Sequence, residues 1–443
     1  MKTKFFAIAA IAATAMFSSC NKDNATSEER GEATTMKVSI NFPIAAQTRA
    51  NTTADPNGTA NESQVNTVDI FIYYSGSGAF ESHATLTAAD FTQTTSTGTA
   101  DVYQYTAATK IPTTTGSKSV FAGINLPSGV VSALTGRNMS ELSTAVHTMS
   151  RTEFAGATNF AMFSVRGENS TFVADDTDPA NNVSITCQRL VAKVTVETSA
   201  TVTTGGVPGT LGDLEFVVNN FNTKVFMLQG AAPDRKDPNW DVYNAGDFND
   251  GTDYAPVWNN KRDGAPASIA DYTPRYAAEN TSMDKLRKGD TRVTVRSTFI
   301  PDEITVGTTG NFTTDDNHGI TVPQTFWAVT PPLTGDDAQT RFFFTETVAI
   351  AFATEIGAAS PVEFTNGYCY WSIYLGKTNS APNKWDVLRN DYYKCNITKI
   401  LTPGTNHPGE VDPEVTPDNE TKITADINIL FWHPVPMADY ELE

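Results

Sequence analysis

Short runs in which apolar and polar residues alternate dominate this chain of 443 residues. An alternation of period two places every second side chain on one face of an extended strand. Gly, Pro, Asn and Asp separate the runs, and Thr, Val, Phe and Tyr are abundant within them. The sequence therefore predicts a mostly β protein built chiefly from antiparallel strands. Strands are predicted at residues 68–74, 118–125, 292–296, 341–352 and 394–400.

The phase of this alternation changes near residue 188. Apolar residues occupy the odd positions from Val183 to Cys187 and the even positions from Leu190 to Val196. A shift of one residue turns the buried face of a strand over, through either a bulge or a passage from one sandwich to the next. The passage is favoured because it leaves pieces of about 140 and 210 residues, both of ordinary domain size. We therefore expect an N-terminal β-sandwich domain at 50–188 and a C-terminal one at 189–401.

The first twenty residues have the features of an export signal. Lys2 and Lys4 form a short basic region, and Phe5–Phe17 is apolar but too short to span a bilayer. Cys20 follows a pair of serines, at the position where a bacterial lipoprotein acquires its acyl chains. Residues 1–20 are therefore predicted to be a lipoprotein signal peptide that ends at the lipidated Cys20. The alternative is an ordinary signal peptide followed by an incidental cysteine.

Two further alternating runs lie near the ends of the chain. The first run is followed by Arg49–Ala50 and by a polar stretch at 51–64, where a trypsin-like protease would find an exposed basic residue. The last run follows a segment at 402–422 that is rich in Pro, Gly and acidic residues and is predicted to be an extended linker. The apolar positions are Met36, Val38, Ile40, Phe42 and Ile44 in the first run, and Ile423, Ala425, Ile427, Ile429 and Phe431 in the last.

The pattern of these two runs has two interpretations. Each strand could complete a sheet of its own chain. Alternatively, a cut after Arg49 would remove residues 21–49 with the first strand and leave a groove, which the segment 423–443 of another copy could fill. Burying five apolar side chains contributes about 8–15 kcal/mol at most, before ordering costs. Such a head-to-tail joint gives an open filament. The pattern alone does not decide between the two interpretations.

The charge and the motifs of the chain argue against several classes of function. A net charge of −19 and a pI near 4.7 disfavour a nucleic-acid partner, which requires a basic face. The five histidines show no pair at metal-ligand spacing, and the acidic loop at 247–253 lacks the ligand spacing of an EF-hand. The sequence contains neither a Gly-x-Ser-x-Gly elbow nor a phosphate-binding glycine loop. We therefore expect no catalytic residues, no metal and no cofactor.

Three cysteines remain besides Cys20, and none has CxxC spacing. Cys369 alternates in phase with Trp371, and Cys395 alternates in phase with Tyr393. Both cysteines are therefore expected to face a core, where a free thiol behaves as a small apolar residue. A disulfide between them is possible if their two strands pair.

Several short segments, taken in their order along the chain, carry a resemblance to a known family. The segments are Val38–Ile40 with Thr48–Ala50, Val120–Pro127, Gln188–Val194, Glu279–Thr281, Arg389–Tyr393, Ala425–Ile429 and Tyr440–Glu443. With the lipoprotein start and the acidic linker, they resemble the fimbrillins of Bacteroidales, the type V pilins, and particularly the shaft subunit of the short fimbriae.

The resemblance implies a fold and a route of assembly. The fold would be two tandem transthyretin-like β-sandwich domains, with an exchangeable N-terminal strand and a C-terminal donor strand. The precursor would reach the outer membrane as a lipoprotein, and an arginine-specific surface protease would cut the Arg49–Ala50 bond. Met36–Ile44 would be the strand that is removed, and Ile423–Phe431 would be the core of the donor strand.

The same resemblance implies the partners of the protein. They would be other copies of the chain in a filament, accessory, tip and anchor pilins, the protease, and receptors on host cells or other bacteria. The acyl chains would hold the precursor in the outer membrane, and the mature subunit would lie in a cell-surface fimbria. Pilins of this family support adhesion and biofilm formation.

Two alternatives to a shaft subunit remain open from the sequence. The first is a tip or accessory fimbrial adhesin, which would carry a binding surface and could end a fibre. The second is a monomeric carbohydrate-binding surface lipoprotein. In that case Trp240, Tyr243 and Trp258 would form a platform for a sugar.

Overall fold

Strands dominate the computed structural model of the chain. Among the described residues strands account for 49% and helices for 14%, so the prediction of a mostly β protein is confirmed. Among the described residues, no helix combines the length and the apolar character needed to cross a membrane. The structure describes residues 31–42, 62, 64–95, 103–156, 159–204, 208–230, 235–248, 259–260, 275–281, 286, 288–332, 339–375, 385–408, 414 and 423–431, with the backbone alone at 93–95, 103–104, 197–204, 259–260 and 423–431.

The N-terminal half, residues 31–189, is built around one large sheet. Its strands are β1 (Ala33–Asn41), β2 (Thr67–Tyr74), β3 (Phe80–Thr87), β4 (Phe91–Thr95), β5 (Tyr103–Ala107), β6 (Ile111–Thr114), β7 (Gly116–Ile124), β8 (His147–Thr148), β9 (Ala155–Gly156), β10 (Asn159–Phe160), β11 (Met162–Ser164), β12 (Glu168–Phe172) and β13 (Asn182–Arg189). Helix α1 (Ser128–Leu134) follows β7, and helix α2 (Arg151–Phe154) follows β8. The sheet order is β3-β2-β7-β11-β13-β1-β5-β4, with β12 on β7 and β6 on β1.

The C-terminal half, residues 191–431, has two main sheets. Its strands are β14 (Val191–Thr204), β15 (Gly209–Leu211), β16 (Glu215–Asn219), β17 (Lys224–Val225), β18 (Asn259–Asn260), β19 (Arg275–Ala278), β20 (Arg292–Pro301), β21 (Glu303–Thr308), β22 (Asn311–Asp316), β23 (Phe326–Val329), β24 (Arg341–Phe343), β25 (Val362–Phe364), β26 (Tyr368–Tyr374), β27 (Asp391–Ile400) and β28 (Ile423–Phe431), and its helix is α3 (Glu346–Ile356). One sheet has the order β19-β14-β27-β28, and the other has β15-β20-β16-β18 with β26 on β20. Alternate side chains of β14 and β27 meet those of β16, β20 and β26 in a single core, as in a sandwich.

The change of phase in the sequence marks the crossing between these two halves. Only Leu190 separates Arg189, the last residue of β13, from Val191, the first residue of β14. The alternate residues from Val183 to Cys187 face the first core, and those from Ala192 to Val196 face the second. The two strands belong to different sheets, so the shift in alternation reflects a change of sheet and not a bulge within one strand.

The prediction of a strand at 341–352 is wrong after Phe343. The chain turns there and forms α3, which begins after Thr345 and ends at Gly357, a residue with φ of 65°. A glycine in the left-handed region is a common helix terminator. Ala349 and Ala353, one helical turn apart, face a small core beside β23 and β24. The apolar residues in this run fit both a strand and a helical period, and the helical period buries Ala349 and Ala353 in this core.

The three cysteines of the described chain are buried, and none of them forms a disulfide. Cys187 lies in the first core, and Cys369 and Cys395 lie in the second, which agrees with the expected core-facing positions. β26 and β27, which carry the latter two, belong to different sheets, so these strands do not pair and no disulfide joins them.

A buried ion pair near residue 62 connects the two halves. Lys193 Nζ lies 3.0 Å from Glu62 Oε1, with side chains 0% and 1% exposed. Tyr276 Oη donates a hydrogen bond of 2.7 Å to the same carboxylate, and Arg189 Nε donates one of 2.8 Å to the Glu62 carbonyl oxygen. Breaking such a pair would leave an uncompensated buried charge, so the network holds the two halves in one arrangement.

A second buried ion pair lies at the same junction. Arg389 Nη2 lies 2.6 Å from Glu279 Oε2, with both side chains at most 3% exposed. The same guanidinium donates to the carbonyl oxygens of Phe226 and Met227, and Met227 packs into the first core. Both members of the pair belong to the short segments that carried the family resemblance, and the structure shows that these segments meet.

Candidate assembly site

Strand β1 lies inside the large sheet and not at its edge. Along one side it pairs in parallel with β13, where Val38 is level with Val183 and Ile40 with Ile185. Along the other side it pairs antiparallel with β6 at its start and with β5 at its end. Parallel pairing needs a long connection between the strands, and here about 140 residues separate them. The first strand of the described chain is thus enclosed by strands that come much later.

The inward face of β1 is fully buried. Lys37, between two buried positions, is exposed, as alternation requires. The ring of Phe42 meets that of Tyr105 edge to face, with 5.8 Å between centroids. The buried side chains are Met36, Val38 and Ile40, each 0% exposed, and Phe42, 3% exposed. Removing the strand would therefore open a row of apolar sites along the first core.

The start of β1 is held by polar contacts. Thr34 Oγ1 donates a hydrogen bond of 2.8 Å to the carbonyl oxygen of Val173 and accepts one of 3.2 Å from Asn181 Nδ2. Farther along, the hydroxyls of Ser39 and Thr106 lie 3.2 Å apart. The site occupied by β1 is therefore polar at Thr34 and apolar from Met36 onward.

Strand β28 occupies an edge of the C-terminal half. It runs antiparallel to β27, with Ile429 level with Tyr393 and Ile427 level with Cys395. β27 is the only described strand that pairs with it, so its other edge has no strand partner in the described chain. This is the strand whose apolar positions run from Ile423 to Phe431, and it completes a sheet of its own chain here.

Several of the predicted site residues lie outside the described residues. They are Cys20, Ile44, Arg49 and Ala50. The described part of the N-terminal segment ends at Phe42, seven residues before Arg49 in the sequence. The structure thus places Met36, Val38 and Ile40 in one enclosed strand, with Phe42 directly after it, and leaves the lipidation and cleavage positions as predictions.

Cys187 lies on β13, the strand that encloses one side of β1. Its side chain is fully buried in the first core. Burial raises the pKa of the Cys187 thiol to about 12, although a hydrogen bond with Ser164 acts in the opposite direction. The neutral thiol is a poor nucleophile, so its reactivity depends on the cover provided by its neighbours.

The described chain gives no support to a sugar platform. The ring of Tyr243 stacks on Phe248 with centroids 5.5 Å apart, and Lys236 Nζ lies 3.7 Å from the centroid of the Trp240 ring. These aromatics pack against their own chain, and Trp258 lies outside the described residues. Among the described residues, one group of potential metal ligands lies together, in an exposed turn. Its members are Asp315, Asp316 and His318.

Comparison with protein families gives two matches. A family described as "Major fimbrial subunit protein (FimA)" matches residues 36–213, which include β1 from Met36 onward and the crossing at Leu190. A second, described as "Major fimbrial subunit protein type IV, Fimbrillin, C-terminal", matches residues 362–435, which include β27 and β28. The two matched segments therefore contain both terminal strands.

Solved structures that resemble the chain include a candidate cell adhesion protein from Parabacteroides distasonis, with 12% identity, TM-score 0.46 and coverage of 90% of this chain and 100% of that one. The tip fimbrial protein Mfa3 from Porphyromonas gingivalis has 14% identity, TM-score 0.40 and the same two coverages. A fimbrial assembly protein from P. distasonis has 9% identity, TM-score 0.41 and coverages of 90% and 98%. No curated protein matches the chain. The matched families show that the chain belongs to the fimbrillins and is a fimbrial subunit of the cell surface, a structural adhesion protein and not an enzyme.

Proposed function

We propose that the chain is a shaft subunit that polymerises by donor-strand exchange. In this proposal it is exported as a lipoprotein through Cys20, cut after Arg49 and joined head-to-tail through residues 423–431 of a neighbouring copy. The observation that carries the proposal is the position of β1: it is paired along both edges and buried along its inward face, yet it lies only a few residues before the candidate cleavage site. A cut there would separate an interior strand from the half that it completes.

Loss of β1 would leave an energetically unfavourable gap. The facing edges of β13 and of β5 and β6 would have unpaired backbone groups, and each such buried group costs free energy comparable to a lost hydrogen bond. The side chains of Val183, Ile185 and Ile111, now at most 4% exposed, would lose their cover. A strand with the same alternation would restore both the ladder and the burial.

The two terminal strands match in length and in pattern. β1 and β28 both contain nine residues. When residues 423–431 replace 34–42 in the same direction, Ile427 takes the place of Val38, Ile429 that of Ile40, and Phe431 that of Phe42. A shift by one residue would turn the polar face of the donor toward the core, and among the registers that keep the apolar face buried we expect this one, because it places Phe431 at the site of Phe42.

The direction of the strands suits a linear fibre. β13 runs toward the junction, where the backbone N–H of Arg189 donates to Asn390 Oδ1, so the parallel β1 begins at the end of the N-terminal half away from the junction. β27 starts next to that junction at Asp391 and runs away from it to Ile400, where the linker begins. The open start of the groove and the departure point of the linker therefore lie at opposite ends, as head-to-tail assembly requires.

In this proposal the structure corresponds to the subunit before exchange. β28 is paired with β27 of its own chain and must leave that edge before it can enter a neighbour. The precursor would be held in the outer membrane by acyl chains on Cys20, and an arginine-specific surface protease would release it. Accessory, tip and anchor pilins would complete the fibre, and receptors on host cells or other bacteria would be its targets in adhesion and biofilm formation.

Limited digestion tests this proposal. Purified protein treated with an arginine-specific protease is expected to give filaments and a ladder of SDS-resistant oligomers on gels. Arg49→Ala should abolish the ladder and leave the precursor folded, whereas Arg166→Ala, a change at an arginine that is 78% exposed, should not alter it. A chain that ends at Asn419 should be cut normally but form no ladder. Normal fibres from that truncated chain would refute strand exchange.

A further inference from the structure

β1 connects one part of the N-terminal sheet to the rest. Among the described strands, β6 pairs with β1 alone, and the β4–β5 hairpin joins the main sheet only through β1. β13, on the other side, is also paired with β11. The groove that β1 would leave has β13 as one wall and β6 with β5 as the other. After β1 leaves, β13 remains paired with β11, whereas β6 loses its strand partner among the described strands.

A carboxylate from another strand holds β6 along its opposite side. Glu81 on β3 accepts a hydrogen bond of 2.9 Å from the backbone N–H of Thr114 and one of 2.7 Å from Thr114 Oγ1. The hydroxyl of Thr113 lies 3.2 and 3.3 Å from the two oxygens of the same carboxylate. Thr113 and Thr114 are the residues of β6 level with Thr34 and Ala33 at the start of β1. Glu81 thus contacts β6 where the groove begins.

The carboxylate is itself fixed by a buried lysine. Lys118 Nζ lies 3.4 Å from Glu81 Oε2, with side chains 0% and 7% exposed, and it also donates to Thr114 Oγ1 at 2.9 Å. The same ammonium lies 3.8 Å from the centroid of the Tyr74 ring. These contacts come from β2, β3 and β7, which pair with one another and do not involve β1. The support of β6 is therefore independent of the strand that is removed.

We propose that Glu81 is a positioning residue for strand exchange. This inference rests on the proposed function. Glu81 keeps β6 in place when β1 is absent, so that the incoming strand meets a wall whose backbone groups are already aligned. A wall that must first be ordered reduces the fraction of molecules able to bind and lowers the apparent affinity in proportion. The same ordering step slows association.

The test uses full-length protein that carries Ile429→Asp, so that its own C-terminal strand cannot act as a donor. After cleavage at Arg49, a fluorescein-labelled peptide of residues 421–435 is added and its binding is followed by fluorescence anisotropy. The double variant Glu81→Met with Lys118→Met removes both charges together, because exchange of a whole buried ion pair for apolar residues is often neutral for stability. Its association rate is expected to fall about tenfold, with dissociation changed by less than about twofold, since the bound strand restores the β6 ladder.

Two further variants separate positioning from general stability. Glu81→Gln combined with Lys118→Met keeps an oxygen that can accept from the Thr114 N–H and leaves no unpaired buried charge, so it should recover most of the association rate. Glu168→Gln is the matched control, because Glu168 forms an exposed ion pair with Arg166 in the same half and should not affect peptide binding. Thermal melts of the uncut proteins verify that each variant folds.

The outcomes distinguish the two proposals. Slower association with nearly unchanged dissociation in the Glu81→Met, Lys118→Met variant, and recovery with Glu81→Gln combined with Lys118→Met, support the inference. An unchanged association rate, or equal changes in both rates, overturns it and leaves strand exchange intact. If the parent protein with native Glu81 binds no peptide after cleavage, strand exchange itself is refuted.

Discussion

The two terminal strands have similar sequences but differ in how they are held. β1 is paired along both edges and, with Phe42 directly after it, buries four apolar side chains, whereas β28 is paired along one edge, with β27. Apolar and polar residues alternate from Met36 to Asn41 in β1 and from Ile423 to Ile429 in β28. Sequence pattern therefore does not set the strength of attachment; the place in the sheet does. An edge strand keeps one row of backbone groups open to another partner.

This difference gives a direction to the proposed exchange. A strand that leaves the edge of β27 gives up one ladder, and on entering the place of β1 it gains two. While β1 is covalently attached, it occupies that place as part of the same chain, and a donor competes poorly with it. Cleavage removes this advantage, because the released strand then competes as a separate molecule. The following predictions test this comparison, from the largest expected effect to the smallest.

The largest effect is expected for Ile429→Asp. In the expected register this residue takes the place of Ile40, which is 0% exposed, and an unpaired carboxylate in an apolar core is very costly. The SDS-resistant ladder should be lost completely after digestion. Asn428→Asp is the control, since position 428 lies on the opposite face of the strand. Normal polymerisation of Ile429→Asp would show that the donor strand is wrongly assigned.

A smaller difference is expected between Ile40→Ala and Ile429→Ala in the uncut protein. Truncation of a buried isoleucine in an interior strand should lower the free energy of unfolding by about 3 kcal/mol. The same change on an edge strand should cost about 1 kcal/mol. Urea denaturation followed by far-UV circular dichroism measures both. Equal losses would mean that β28 is held as firmly as β1, which would remove the proposed direction of exchange.

Alkylation of the buried cysteines can report whether β1 and β28 remain in place. Cys395 is level with Ile427 of β28, and Cys187 lies on β13 beside β1. In fibres, Cys395 should be alkylated at least about tenfold faster than in the precursor, because opening of its cover controls access. Cys187 should react only between cleavage and insertion of the donor. Cys369, buried on β26, should stay slow throughout.

Mass spectrometry after timed pulses of labelled iodoacetamide follows these three cysteines separately. Equal protection of Cys395 in precursor and fibre would show that β28 never leaves its own sheet.

The smallest effect concerns the first position of the groove. Thr34 is hydrogen-bonded to Val173 and Asn181, and in the expected register Ile423 would replace it. Ile423→Thr should therefore strengthen the joint by about 1 kcal/mol, the typical net value of an intramolecular hydrogen bond. Resistance of the dimer band to heating in SDS measures the change. A weaker joint would indicate a different register.

Alternation in the sequence predicted the strand content and the inward face of β1, because period two fixes which side chains share a face. It could not predict the neighbours of β1. The pairing with β13 joins segments that are far apart in the chain, and such contacts depend on tertiary packing more than on local pattern. The predicted strand at 341–352 is correct only as far as Phe343, because the apolar residues after it also fit a helical period; Gly357 is the signal that a helix ends there.

The supporting residues of the groove had no comparable signal. Glu81 lies on a strand of mixed polarity, and its partners Thr114 and Lys118 come from β6 and β7. In the sequence, a glutamate that becomes buried has the same pattern of neighbours as one that stays exposed. Glu81 can therefore be recognised as a buried carboxylate only once the positions of the strands around it are known. The position of β28 before exchange was likewise open, because its alternation suits its own sheet as well as a neighbour's groove.

The single residue between β13 and β14 has a mechanical consequence for a fibre. In the proposed fibre, a pulling force on the inserted donor strand would be transmitted to β13 through the hydrogen bonds between the two strands. From β13 it would reach β14 through Leu190, the single residue between them. In the proposed fibre the donor strand would lie parallel to the pulling force. The hydrogen bonds that pair it with its neighbouring strands would therefore be loaded in shear all at once, and would not open one after another. Under tension, the fibre is therefore expected to lengthen between its subunits before the two halves of any one subunit move apart.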